Sequence, residues 1–433
     1  MMLNFIKEQE SLWDYLRRTT KPIVLYGMGN GADKIIAQLK LAGKEPAGLF
    51  ASDEFVRGQH FHGLTVQTYA ALKAELGEFI TLIAFASSRP EVLARFDALA
   101  AAGETYAPHV PIFPGEETVS LTWLTRHEAE LKEVYQRLAD DRSRQVFAAA
   151  LNYKLSGKIG YLKEVTTDRL ADLRSLFTFG PEEVYLDLGA YNGDTVEEFL
   201  RLLPQNGPAS ALPGYRHILA VEPDPRNFKK LTERLAQLGC PEVTCLNQGV
   251  WSSRGRREFT GSSGRQAALI KEPEPVLQPA EEPNPLSRIE LKGSTAPAFG
   301  PGPSPVKKIT VPVASLDELA GPWQTTCIKL DVEGAELAAL SGGVRQLTGQ
   351  ATPSDWGGVR QLTGQASSAD WGGVSAAPLT SPHPRPKLLL AAYHHDEDLF
   401  TLPLKIWELE PAYQIYLRKH PYVPAWELNF FAI

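Results

Sequence analysis

The stretch LDLGAYNGDT, Leu186–Thr195, restricts the fold more than any other part of the chain. An apolar run from Val184 to Leu188 enters a turn carrying Gly189 and Gly193, and a helix then begins near Asp194–Thr195. A strand that breaks on glycines and feeds a helix start is the layout of a nucleotide-cofactor site, because glycine admits sharp backbone turns and the helix start offers free N–H groups. Taken alone, the decapeptide is equally an ordinary strand-to-helix turn.

Further strand-like runs follow, and their ends are polar. HILAVEPD closes on Glu222, an acid at the tip of the second strand, where it can accept hydrogen bonds from both hydroxyls of an adenosine ribose. The gap from Gly193 to Glu222 exceeds the usual ~20 residues, and the loop Pro204–Gly214 accounts for the excess. VTCLNQGVW, Val243–Trp251, carries Asn247, Gly249 and Trp251 to the same rim, with Trp251 placed either to stack on an adenine or to pack as a half-buried aromatic. In CIKLDVEGAELAAL the two-residue period of a strand puts Lys329, Asp331 and Glu333 on one face as the chain runs into Gly334. Charges at the end of an apolar strand are costly without a partner or a task, and a plain Lys329–Asp331 pair is the simpler alternative. KLLLAAYHH ends in Tyr393, His394 and His395, followed by Asp396, while Tyr413–His420 and Trp426–Ile433 read as an antiparallel pair at the sheet edge.

Upstream, PIVLYGMGNGAD repeats the strand, glycine turn and helix with Gly27, Gly29 and Ala32, and a second strand ends at Ser52-Asp53. Residues 1–118 therefore read as a smaller Rossmann-like α/β domain, either holding a nucleotide at Gly27, Gly29 and Asp53 or kept for docking. Residues 119–180 read as a helical connector of two or three helices, with Leu131, Val134 and Leu138 on an apolar face. The charged run Asp140–Arg144 is either a cap and solvated helix face or a substrate-facing cluster. Residues 181–433 make the larger domain, with a proline-rich insert at 272–305 and a loop at 342–371 whose two halves, GGVRQLTGQATPSDW and GGVRQLTGQASSADW, nearly duplicate each other.

Composition narrows the function classes. With 22% charged residues and a net charge of −7, the chain has no basic footprint for nucleic acid. Cys240, Cys245 and Cys327 lack the paired spacing of a zinc site and read as reduced thiols. The start, MMLNFIKEQESLWDYLRR, scatters Leu3, Ile6, Leu12 and Leu16 among charges, which is neither a signal peptide nor a membrane span. A cytoplasmic protein is expected, and whether it forms a homo-oligomer is open.

Together LDLGAYNGDT, AVEPD, NQGVW, IKLDVEGAE and AYHHDEDL, in this order, resemble the FkbM family of S-adenosyl-L-methionine-dependent methyltransferases; the resemblance spans roughly residues 135–433 and takes in DDRSRQVF and YLRKH. It implies the class I methyltransferase fold, a doubly wound and mostly parallel sheet with an antiparallel C-terminal edge strand. It also implies O-methylation of a hydroxyl on a small-molecule or glycan acceptor, a sugar or a secondary metabolite. Carried onto this chain, it implies that Asp187, Gly189 and Gly193 hold the methionine part of the cofactor, with Ala190, Asn192, Asp194 and Thr195 in the same loop. Glu222 would hold the ribose, and Asn247, Gly249, Trp251 and Asp331 would complete the cofactor site. The insert and the duplicated loop depart from the family pattern.

Methyl transfer from a sulfonium is an in-line displacement, so catalysis is alignment plus removal of a proton from a weakly nucleophilic hydroxyl. His394 is the expected base because an ordinary imidazole titrates near pH ~6.5, with Asp331 orienting it or the acceptor and with Glu333 and Lys329 beside them. In the alternative, Asp331, Glu333, His394 and His395 hold a divalent cation that polarises the hydroxyl. Two other classes remain: a scaffold that binds the methyl donor without turnover, and an N-terminal nucleotide-sugar or NAD enzyme, which lacks a Tyr-xxx-Lys set.

Overall fold

The structure, a computed structural model, describes residues 3–204, 214–261, 307–349 and 385–433. The proline-rich insert and most of the duplicated loop lie outside the described residues. No helix among the described residues is long and apolar enough to cross a membrane.

The first helix, α1 (Leu12–Arg18), is capped by Ser11 and precedes β1 (Ile23–Tyr26), α2 (Asn30–Leu41) and β2 (Gly48–Phe50). β3 (His60–Phe61), β4 (Leu64–Gln67), α3 (Tyr69–Leu76), β5 (Ile80–Ile83), α4 (Pro90–Ala102) and β6 (Thr105–Tyr106) complete a six-stranded sheet ordered β3-β4-β2-β1-β5-β6. β3 runs antiparallel and its neighbours are parallel. β1 and β5 are buried on both faces, as continuous apolar runs in a covered parallel sheet should be.

The connector holds five helices rather than two or three: α5 (Leu121–Arg126), α6 (Glu128–Arg137), α7 (Asp141–Ser156), α8 (Gly160–Val165) and α9 (Arg169–Leu176). Turns cut the apolar stripe, most sharply at Gly157, which ends α7 in the left-handed conformation. Asp140 is a cap: it accepts from Ser143 N at 2.7 Å and from Arg418 Nη2 at 2.6 Å, tying α7 to the C-terminal sheet.

That sheet begins with β7 (Val184–Leu188), α10 (Asp194–Leu202), β8 (His217–Val221), α11 (Pro225–Leu238) and β9 (Val243–Leu246). The expected third strand does not continue to Trp251. Pairing with β8 ends at Leu246, where the Asn247 side chain takes the Glu222 and Pro223 carbonyls, and the chain leaves as β10 (Gly249–Trp251) for a separate three-stranded sheet with β11 (Gly255–Gly261) and β12 (Lys307–Ser315). Then come α12 (Leu316–Ala320), which Ser315 and Glu318 close with a capping box, β13 (Cys327–Leu330), α13 (Glu336–Ser341) and α14 (Val344–Thr348). β14 (Lys387–Ala391), α15 (Asp398–Leu409), β15 (Ile415–Lys419) and β16 (Leu428–Ala432) finish the chain.

The large sheet is ordered β15-β16-β14-β13-β7-β8-β9, with five parallel strands from β9 to β14. The antiparallel strand is not the edge: β16 inserts between β14 and β15 and pairs with both in antiparallel register. Apart from the place of that strand, the mostly parallel sheet is the one expected, and a buried ionic cluster links it to the N-terminal half. Asp396, just past β14, lies 2.6 Å from both Lys154 Nζ and His109 Nε2.

Candidate active site

Strand order decides which side chains meet. β8, β7, β13 and β14 lie side by side and parallel, so their carboxyl ends bring Glu222, Gly189, Asp331 and His394 to one rim. These residues line a single cavity of about 490 Å³, which Asp194, Thr195, Gly249, Lys329 and Glu333 also enter. Among the described residues, five non-glycines sit in the left-handed region, and three of them, Tyr191, Glu333 and Glu427, line this cavity. Each such backbone costs about 1–3 kcal/mol, and such strain clusters at functional sites.

The glycine turn is shaped by the neighbouring strand. A Cβ on Gly189, whose φ is 80°, would fall 1.9 Å from the carbonyl oxygen of Asp331, so the bare backbone lets two strand ends pass rather than admitting a ligand. Tyr191 N then donates to Glu222 Oε2 and Asp224 N to Glu222 Oε1, each at 2.9 Å. Asp224 itself caps α11 through Arg226 N and Asn227 N, with Pro225 at the first helical position. Glu222 is thereby fixed from both sides. Burial pushes its pKa up to about 7, against the two N–H groups that favour the anion. Each carboxylate oxygen keeps a second lone pair for a hydroxyl.

Lys329 pairs across the sheet rather than along its own strand. It stands level with Asp187 in the parallel register, and its Nζ donates to Gly189 O at 2.6 Å and lies 3.2 Å from Asp187 Oδ1, off the line of a hydrogen bond. Thr195 Oγ1 donates to Asp187 Oδ2. Burial opposes the Lys329 ammonium, but the Asp187 and Asp331 carboxylates outweigh it and raise its pKa. The pair bolts β13 to the glycine turn and to the start of α10. Removing one member of such a buried pair costs about 3–5 kcal/mol. Asp187 has no exposed surface and does not reach the cavity, so its expected contact with the cofactor is corrected to a framework role.

At the centre, Tyr393 Oη donates to Asp331 Oδ1 at 3.0 Å. Burial works to raise the Asp331 pKa, yet Lys329 and His394 prevail and lower it, so Asp331 is an anion. Burial raises the Glu333 pKa, with His394 opposing. His394 Nε2 lies 3.6 Å from Asp331 and 3.5 Å from Glu333, and Nδ1 lies 2.9 Å from Glu336 Oε1 without hydrogen-bond alignment. Burial alone would lower the His394 pKa, but the Glu336 and Glu333 carboxylates carry it well above the ordinary value. An imidazolium has no lone pair for an incoming proton. Set among three carboxylates, His394 is placed to position them, which favours that part over the expected one as base.

His395 points away, stacking on Phe113 and meeting Glu116, so the four-residue cation set is not assembled. Among the described residues Asp331, Glu336 and His394 each offer a ligand atom within 4.8 Å of the others. Both Glu336 oxygens, however, already accept from Val332 N at 2.8 Å and Gly334 N at 3.1 Å, which braces the loop after β13.

Five other expected cofactor contacts lie behind the cavity wall. Ala190 is buried among α10 and α11, and Gly193, at φ 85°, caps α10 beneath Leu231. Asn192 Oδ1 accepts from Arg234 and from Asp194 N. Asn247 Nδ2 donates to the carbonyls of Glu222 and Pro223, which secures the tip of β8. Trp251 follows β10 into the small sheet, lies under Arg257 and lines a second cleft. The cavity in turn holds residues that sequence reasoning passed over: Tyr191 inside the glycine turn, Arg169 of α9, and Tyr422, Trp426 and Glu427 between the last two strands. The strand pair was visible in sequence, but nothing marked its connection as a cavity wall.

The fold and this site fit a methyltransferase. Residues 187–353 match the model of the methyltransferase FkbM domain, so the resemblance carried by the motifs holds over that span. Across the whole fold, the chain is similar to the crystal structure of methyltransferase FkbM from Methylobacillus flagellatus KT, at 18% identity and a TM-score of 0.62, covering 97% of this chain and 92% of that one. No curated protein matches the chain.

Proposed function

We propose that this methyltransferase uses S-adenosyl-L-methionine and transfers its methyl group to a hydroxyl of a sugar or secondary metabolite. The supporting observation is Glu222, an acid fixed at the tip of β8 by two backbone N–H groups, beside a glycine turn and within a cavity rich in carboxylates. Anionic walls suit a ligand carrying a sulfonium and an ammonium group. Bound there, the cofactor would supply an electrophilic methyl group that an oxygen attacks in line as the carbon–sulfur bond breaks. Glu222 would accept the ribose hydroxyls. Glu333, its pKa raised by burial, would take the acceptor's proton, and Asp331, held ionised by Lys329 and His394, would orient that hydroxyl. His394 positions both carboxylates. Calorimetry with S-adenosylhomocysteine tests the cofactor half, with micromolar binding expected. Release of S-adenosylhomocysteine from S-adenosyl-L-methionine over hydroxyl acceptors tests the transfer, and binding without any release would leave a scaffold.

A further inference from the structure

The cavity runs along the sheet, and its two ends differ in chemistry. From Glu222 at β8 to Glu427 at β16 is four strand steps, roughly 19 Å at the usual strand spacing. If the Glu222 end holds the cofactor, as proposed above, the other end is left for the acceptor. There the Tyr422 and Trp426 rings lie 5.4 Å apart at 36°, and Arg169 is opposed by Glu198 at 2.8 Å and Glu427 at 3.4 Å. The N-terminal half also lines the cavity, with Ser88, next to the Ser87–Val423 bridge of this end, and with Ile112.

Both of those segments are anchored. Ser87 exchanges two backbone hydrogen bonds with Val423, at 2.9 and 3.0 Å, so residue 88 is fastened to the Tyr422–Trp426 loop. Lys34 Nζ, from the helix after the first glycine turn, donates to the carbonyls of Pro111 at 3.0 Å and Ile112 at 2.7 Å.

We infer that this end is the acceptor subsite, a wall built jointly by Tyr422, Trp426 and Glu427 and by Ser88 of the N-terminal half, and that it takes an uncharged polyhydroxylated ring. Aromatic faces cover the apolar C–H face of such a ring, while carboxylate and guanidinium groups satisfy hydroxyls at its edge. The charge of Arg169 is already opposed by two carboxylates, and Asp331 and Glu333 lie beyond it, so an anionic acceptor would meet repulsion. The N-terminal half is thus a specificity element of the transferase site.

The test uses the full chain saturated with S-adenosylhomocysteine and three neutral probes, the methyl α-pyranosides of glucose, mannose and rhamnose, followed by saturation-transfer NMR with glucose 6-phosphate as the anionic control. At least one neutral pyranoside binds, at least tenfold more tightly than the phosphate. Ser88→Trp and Trp426→Ala each weaken it tenfold or more, while S-adenosylhomocysteine affinity stays within twofold. Should Trp426→Ala lose S-adenosylhomocysteine as well, it has misfolded and Ser88→Trp decides. Absence of pyranoside binding to loaded protein, undiminished binding in Ser88→Trp, or equal binding of the phosphate overturns the inference. Failure of S-adenosylhomocysteine itself to bind overturns the cofactor reading, and this one with it.

Discussion

The turn from β1 to α2 and the turn from β7 to α10 are the same construction put to different ends. Both join a fully buried strand to a helix through glycines at positive φ. Over the first turn lies an aromatic ring: a Cβ on Gly27 would come within 2.4 Å of Phe85, and the acid expected at the ribose position, Asp53, is exposed in a single 3-10 turn, Asp53–Phe55. Over the second, Gly189 faces the Asp331 carbonyl, and the equivalent acid, Glu222, is 5% exposed with both oxygens engaged. A glycine turn is thus a backbone solution for packing a strand against its neighbour. It becomes a site when adjacent strand ends deliver acids to it.

The sharpest contrast is in stability. Gly189→Ala drives a methyl group into a backbone carbonyl that no side-chain rotation can relieve, so little folded protein is expected, equivalent to a loss above about 4 kcal/mol. Gly29→Ala meets nothing within 4 Å and pays for its φ of 101° alone, about 1–3 kcal/mol. Denaturant unfolding of both variants checks this, and equal losses would mean that the two turns are constrained alike.

Next in size is turnover. Glu333→Gln removes the group matched to the acceptor proton and should lower kcat by about 10²- to 10⁴-fold, with S-adenosylhomocysteine affinity within twofold. His394→Gln instead removes the cation among Asp331, Glu333 and Glu336, so its first effect is destabilisation of about 3–5 kcal/mol. Paired unfolding and kinetic measurements separate the two roles. A His394→Gln protein of normal stability and no turnover would restore His394 as the base.

What was legible in the sequence follows the range over which each feature is determined. Glu222, Asp331 and His394 were found because a strand's period and its terminating polar residues are local, and parallel order then aligns the tips. The Lys329–Asp187 pairing is not legible in the sequence, where a Lys329–Asp331 pair stands only as an alternative, because Asp187 lies level with Lys329 on the adjacent strand, a register that no single strand reveals. Trp251 was misplaced because the change of sheets after Leu246 depends on where β8 ends and on β12, some 60 residues later. Arg169, Ser88 and Trp426 come from three distant segments that meet when the connector and the N-terminal sheet close on β16, and none carries a local mark.

The smallest effect concerns the two acids at equivalent strand tips. Burial pushes the Glu222 pKa up to about 7, and only its anion offers both oxygens as acceptors to a ribose. Protonation turns one oxygen into a donor, so cofactor affinity should rise as pH increases from 6 to 8, by about tenfold, and level off above. Glu222→Gln removes the charge from two hydrogen bonds, weakens S-adenosylhomocysteine binding by about 10- to 100-fold at pH 8, and flattens the pH dependence. Asp53→Asn, altering an exposed side chain outside the cavity, should change the affinity less than twofold and leave its pH profile intact. Calorimetry across this pH range on the three proteins reads both effects. A pH dependence that persists in Glu222→Gln would move the titrating group elsewhere on the rim, with Glu333, whose pKa burial also raises, the next to examine.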